Sequence, residues 1–193
     1  MKTDILLAGV GGQGILSIAS ILGEAALREN LFLKQAETHG MSQRGGAVVS
    51  HFRISDEEIA SDLIAKGSAE IILSVEPMEA LRYLPFLSKT GYLVTNITPF
   101  ENIANYPNIE DILNEIKKQA YFIAIDADKI AKEIGNHRAS NVVMLGAATP
   151  FIQISPDKIE DGIVHIFNKK GEDIVELNLK AFRAGRAFAL ENK

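Results

Sequence analysis

The chain has 193 residues, 47% hydrophobic and 23% charged, which is the balance of a soluble globular protein with enough apolar surface for a full core. Its formal net charge of −5 disfavours a broad electrostatic grip on nucleic acid or an anionic membrane. The absence of cysteine excludes disulfides, thiolate-held zinc and cysteine-ligated iron–sulfur clusters within the chain, and suits a reducing cytoplasm.

No apolar run approaches the roughly 20 residues of a membrane helix, and the start enters DILLAGVGG too directly for a signal peptide. The expectation is therefore a cytoplasmic domain without membrane attachment. Residues 4–9, DILLAG, form a continuous apolar run ending in glycine, the pattern of a strand buried on both faces. Ile15, Ile18, Ala19, Leu22, Ala25 and Ala26 then recur at helical spacing. Leu16 and Ile21 add apolar surface elsewhere, so this helix is expected to be covered nearly all round. A second strand is expected near 31–37, a loop through 38–46, and a third strand over 47–55, where β-branched residues alternate with polar ones. His51 in that strand reads as a partly buried structural residue, as does His165 farther on.

SAEIILSVEP reads as another buried strand, and Pro77 favours helix entry for MEALRYLPFL. GYLVTNIT is a strand. NIEDILNEIKKQ follows as a helix with Asn108 as N-cap, then AYFIAID as a strand and ADKIAKEIG as a helix. The remainder reads as helical: NVVMLGAATPF, then SPDKIEDGIVHIF with Ser155 as N-cap, then IVELNLKAFRAGRAFAL. In the last of these, Leu179, Phe182, Gly185 and Ala189 share a face and Gly185 permits close approach of another element. Strands alternating with helices predict a three-layer α/β/α sandwich around a largely parallel, Rossmann-like sheet. No repeat or linker divides the chain, so a single domain over 1–193 is expected, its last helix a possible interface arm.

Three stretches carry candidate chemistry. GVGGQGI contains Gly9, Gly11 and Gly14 at G-x-G-x-x-G spacing, with Gly12 and Gln13 inside. Such a turn lets a backbone approach a ligand closely and aims the unpaired N–H groups of the next helix at an anion. The same spacing also occurs as plain strand-to-helix geometry, so the motif alone does not establish a bound dinucleotide. Glu37 lies late for a ribose-binding acid, and no lysine follows Gly14 to make a P-loop. The Gln13 amide can donate and accept, which a turn that only packs has no need of.

The second stretch, ETHGMSQRGG, gathers Glu37, His39, Ser42, Gln43 and Arg44 with Gly40, Gly45 and Gly46. Beside the carboxyl ends of the first strands, that cluster falls where open α/β sheets bind ligands. Arg44 between glycines can grip a phosphate or carboxylate through two bonds, or else pair with Glu37 and only order the loop. Glu37 and His39 lack an evident third ligand for a metal. The third stretch, GNHRASN, offers Asn136 and Asn141 around His137 and Arg138; the asparagines either cap helices or face a ligand.

GVGGQGI, ETHGMSQRGGAVVSHFRIS, VEPMEALRYL, GNHRASNVVMLGA and NLKAFRAG occur in this order. With them the chain resembles, over nearly its whole length, the gamma-type subunits of 2-oxoacid:ferredoxin oxidoreductases. The H-G-M-x-Q-R-G-G loop is the most specific element and is similar to that of the indolepyruvate-type members. The resemblance implies oxidative decarboxylation of an arylpyruvate to an acyl-CoA, with reduction of ferredoxin. It places thiamine diphosphate and 4Fe–4S clusters on a larger partner subunit, makes coenzyme A a cosubstrate, and leaves this chain inactive alone, with no catalytic residue or metal of its own. Two rivals stay open on the residues: a stand-alone NAD(P)-dependent oxidoreductase, and a nucleotide-binding module without chemistry.

Overall fold

A computed structural model describes residues 1–40, 45–101 and 103–193. The first strand, β1 (Lys2–Val10), is buried from Thr3 onward because both of its faces are covered. Ile5 and Leu7 point into one apolar layer and Leu6 into the other. Around it stand β2 (Phe32–His39), β3 (Ala47–Ser55), β4 (Ala69–Ser74), β5 (Leu87–Asn96) and β6 (Phe122–Ile125), in the order β2-β3-β1-β4-β5-β6.

The pairs β1/β4, β4/β5 and β5/β6 are parallel, whereas β3 is antiparallel to both β1 and β2. The sheet is thus largely parallel, as expected, with β3 alone reversed. The reason is local: the connection 40–46 is too short for a parallel crossover, which needs about a dozen residues, so β2 and β3 form a hairpin.

Helices α1 (Ile15–Arg28), α4 (Ala127–Ile134), α5 (Ser140–Ala148), α6 (Pro156–Phe167) and α7 (Glu172–Asn192) build the larger core on one face. On the other face lie α2 (Pro77–Arg82), α3 (Ile109–Ile116) and Ile64. This is the predicted three-layer arrangement. In the tightest helix contact, a Cβ on Gly185 of α7 would lie 1.9 Å from the Val143 carbonyl oxygen, and one on Gly146 of α5 would lie 2.0 Å from that of Phe182. Each glycine makes room for the other helix's backbone, so the close approach expected at Gly185 is met within the chain.

Several expectations shift. Strand β2 runs on to His39, past the expected start of the loop. The helix after Pro77 is only six residues long and gives way to a 3-10 turn at Leu84–Phe86, because Pro85 cannot continue it. Helix α1 is not covered all round: Leu16 and Leu27 are 54% and 62% exposed, on the side away from the sheet. His165 is exposed on α6, 3.8 Å from Glu24, rather than partly buried. Ser155 occupies the N-cap of α6 without a side-chain bond. His51 behaves as read: its Nδ1 accepts the Ile64 N–H at 3.0 Å. Arg53 on the same strand donates to the carbonyls of Ser61 (2.8 Å) and Leu63 (3.2 Å), so β3 straps down residues 61–64. Among the described residues no helix is long and apolar enough to cross a membrane.

Candidate functional site

The glycine turn leaves the C-terminal end of β1 where the chain order reverses: α1 leads away to β2 on one side, and β4 and β5 extend the sheet on the other. Open α/β sheets bind ligands in the crevice at such a point. The turn is internally knit. Val10 N–H donates to Gln13 Oε1 at 2.8 Å, and Gln13 Nε2 donates to the Val75 carbonyl at 3.3 Å. The Gln13 amide therefore has a packing use after all: it pins the turn to the end of β4, a role that spacing in the sequence did not expose.

Gly14, at φ +81°, is the N-cap of α1 and offers no side-chain cap. The Ile15 and Leu16 N–H groups have no partner among the described residues. An α-helix leaves its first amides unpaired and its positive end exposed, so this start attracts an anion.

On the hairpin side, Gly11 N–H donates to the Gly46 carbonyl at 2.9 Å, and Gly40 N–H donates to Ala47 O at 2.8 Å. The two glycine-bearing stretches singled out in the sequence do meet. Glu37 and His39 end β2, with His39 Nε2 in ion-pair range of Glu37, yet neither Glu37 oxygen has a hydrogen bond of sound geometry among the described residues. Gly45 lies at the hairpin's return; Ser42, Gln43 and Arg44 lie outside the described residues.

On the other side opens a cleft of about 660 Å³, walled by Gly12, Gln13, Gly14, Val75 and Asn96, and by the segment from Asn136 to Asn141. Asn141 is buried, and its Nδ2 donates to the Gly14 carbonyl at 3.1 Å, so the third candidate stretch also reaches the turn. Asn136 caps the short 3-10 turn His137–Ala139 by accepting the Arg138 N–H at 3.3 Å, and it lines the cleft as well. Asn136 is thus a cap that also lines the cleft, whereas Asn141 lies within α5, caps no helix and ties that helix to the glycine turn. Gly9 lies behind the turn, against Val75.

Sequence reading missed much of the far wall: Asn96, Phe100, Asp128, Lys170 and Asn178. Asn96 at the end of β5 is buried, donates to Asp128 at 2.7 Å and accepts the Ala127 N–H at 3.1 Å. A polar residue closing an apolar strand was its only local signal; Lys170 and Asn178 gave none, since the fold alone brings α7 to the cleft.

The cleft divides chemically. Arg138, His137 and Lys170 are basic groups without an ion-pair partner among the described residues, in a chain that is acidic overall. Lys170 lies 5.0 Å over the Phe167 ring. Asn141, three residues on from Arg138, and Asn178 on α7 use their Nδ2 groups on the Gly14 and Ile174 carbonyls, and each amide oxygen has no hydrogen-bond partner among the described residues. The arrangement suits a ligand that carries both anionic oxygens and N–H or O–H donors. Among the described residues no three His, Asp or Glu side chains gather as a metal site. A dinucleotide ribose fits poorly, since β3 separates β2, and with it Glu37, from the β1 turn.

Comparison with known proteins bears on the fold and the family. The "Indolepyruvate oxidoreductase subunit IorB" of Pyrococcus horikoshii is 38% identical over 97% of this chain and 96% of its own length. A keto/oxoacid ferredoxin oxidoreductase gamma subunit from Geobacter sulfurreducens superposes with a TM-score of 0.74 at 26% identity, covering 98% of this chain and 99% of that one. The fold recurs at TM-score 0.80 and 24% identity in a 2-oxoglutarate:ferredoxin oxidoreductase from Magnetococcus marinus, solved with 2-oxoglutarate, coenzyme A and succinyl-CoA bound; this chain, 98% of it covered, spans 31% of that longer chain. Residues 4–188 match the pyruvate ferredoxin/flavodoxin oxidoreductase family, and the chain belongs to it.

Proposed function

We propose that this chain is the small subunit of an indolepyruvate-type 2-oxoacid:ferredoxin oxidoreductase, and that its cleft receives the phosphate-bearing part of coenzyme A. The observation that carries the subunit reading is the near full-length identity to an indolepyruvate oxidoreductase subunit. The reaction is oxidation of an arylpyruvate with coenzyme A to an aryl-acetyl-CoA and carbon dioxide, its two electrons passing to ferredoxin. Thiamine diphosphate on the larger partner supplies the decarboxylation chemistry, and iron–sulfur clusters there carry the electrons; this chain has no cysteine with which to hold a cluster.

The cleft reading rests on the uncapped start of α1, three basic groups and two amide oxygens without a partner among the described residues, all lining one cleft. Coenzyme A carries phosphates for the first set and amide and hydroxyl donors for the second. The binding contribution of this chain is to seat and orient that molecule at the mouth of the partner's active site. We read the stretch 37–46 as lying against the partner, with the Arg44 guanidinium reading a carboxylate or phosphate. We further read residues 1–193 as one domain, with the outer face of α7 as a subunit contact and the cytoplasm as its compartment.

Affinity purification of the chain from its native cells tests this directly. The expected outcome is a co-purifying larger subunit, turnover of arylpyruvate with coenzyme A and ferredoxin by the pair, and none by this chain alone. Turnover by rigorously purified chain, or tight NAD(P) binding by the chain with no larger partner, would overturn the proposal.

A further inference from the structure

Phe100 forms part of the cleft wall and is 43% exposed. It sits on the connection between β5 and α3, whose described residues form neither helix nor strand. Past the Ile97 N–H, which donates to the Ile125 carbonyl at 3.0 Å, this segment has no ladder bond among the described residues and depends on side-chain anchors.

A single buried carboxyl group supplies two of those anchors. Glu76, which follows β4, is 0% exposed. Its Oε2 accepts the Glu79 N–H at 2.8 Å and caps α2. Its Oε1 is not needed for that cap: it accepts the Phe100 N–H at 3.3 Å and the Tyr106 O–H in a short hydrogen bond. The preceding residue, Val75, accepts from Gln13 at 3.3 Å and from Asn96 at 3.4 Å. The glycine turn, the end of β5 and the Phe100 segment are therefore all tied to two consecutive residues, Val75 and Glu76.

We infer that Glu76 and Tyr106 are positioning residues that fix Phe100 against the cleft and thereby set its affinity for coenzyme A. This rests on the reading of the cleft given above. A wall tethered in place before the ligand arrives loses less conformational freedom on binding than one that must be ordered by it. Neither residue touches the reacting atoms, so their effect falls on binding and leaves turnover alone.

The test uses the assembled complex with Tyr106→Phe, which removes one of the segment's two bonds to Glu76 and keeps both the Phe100 N–H bond and the α2 cap. KM for coenzyme A should rise about three- to tenfold, the size of one lost hydrogen bond, with kcat and the oxoacid KM unchanged. In a Phe100→Ala background, Tyr106→Phe should add nothing further, which a general loss of stability would not reproduce. An unchanged KM, a parallel fall in kcat, or the same rise repeated on Phe100→Ala would each overturn the inference. Arg138→Ala and Asn141→Ala separate the two layers of argument. If both leave the coenzyme A KM untouched, the cleft reading itself fails; if they raise it and Tyr106→Phe does not, only the tether fails.

Discussion

The two sides of the Gly9–Gly14 turn have the same backbone between them and opposite character. On the hairpin side the turn's own amide is satisfied, Gly11 N–H on Gly46 O, and the neighbouring strand is a sheet edge with His39 exposed and Glu37 half-buried. On the cleft side the helix start is left open, and buried amides with spare oxygens line the same cleft as basic groups that have no ion-pair partner among the described residues. The difference teaches that a glycine motif does not define a site by itself. What counts is which of its donors the fold has already satisfied.

Gly14→Ala should break the cleft side most severely. A side chain there is strained at φ +81°, and its Cβ would lie 2.4 Å from Asn141 Nδ2. The two effects together cost about 1–3 kcal/mol of stability, read from denaturant unfolding. With Asn141 displaced, coenzyme A affinity should fall by about tenfold or more, the equivalent of roughly 1.4 kcal/mol. A stable Gly14→Ala protein with unchanged affinity would mean that the open helix start has no ligand.

Arg138 sharpens the same side more gently. It is exposed and unpaired, so Arg138→Ala should weaken coenzyme A binding roughly three- to tenfold, with Arg138→Lys recovering part of the loss. The wild-type affinity should also decline with added salt more steeply than that of Arg138→Ala. Equal salt slopes for the two proteins would remove Arg138 from the site.

How much of this was legible in the sequence depends on the range of the interactions involved. The alternation of apolar runs with helical periods foretold the layers, because each element must bury a face whatever its neighbours are. The reversal of β3 was less visible, since it follows from the short 40–46 connection rather than from the strand's own residues. Gly9, Gly11, Gly12, Gln13 and Gly14 were found as a turn, yet the use of Gln13 on Val75 links positions 62 residues apart and has no local trace. Asn136 and Asn141 are visible from their spacing around a basic pair, whereas Asn178 on α7 and Lys170 in the turn just before it reach the cleft only through the glycine-to-glycine packing of α5 and α7. Glu76 shows no role within VEPMEALRYL, because the three donors to its carboxyl come from residues 79, 100 and 106.

Acid should distinguish the two sides without any substitution in the turn. His51 on β3 holds the Ile64 N–H through a bare Nδ1. Burial, and then the Arg53 charge, push its pKa below the usual histidine value, with Asp62 opposing. The unfolded chain takes up this proton at about pH 6.5, whereas the folded chain resists it until lower pH. The contribution is therefore fully present above about pH 6.5 and is lost as pH falls from there through the lower folded value. The protection factor at Ile64, its exchange rate divided into the intrinsic rate at each pH, should fall on acidification across that window, and His51→Gln should remove that fall. A flat profile in the wild type would show that the strap does not depend on the neutral imidazole.

The smallest effect is expected at Glu37, and it tests the comparison most directly. If the hairpin side lies outside the coenzyme A site, Glu37→Gln should shift the coenzyme A KM by less than about twofold, because the carboxyl's only described partner is His39, itself 57% exposed. Stability should change little, since both Glu37 oxygens are buried without a sound hydrogen bond and a neutral amide of the same shape is easier to bury. His39→Ala should behave likewise toward coenzyme A. Any consequence belongs instead to the recovery of the two-subunit complex or to the oxoacid KM, because this edge of the sheet is the one that faces the partner in the proposed assembly. A tenfold rise in the coenzyme A KM for Glu37→Gln, with assembly intact, would place the carboxyl in contact with that ligand. The turn would then have two working sides, and the distinction between them would fall.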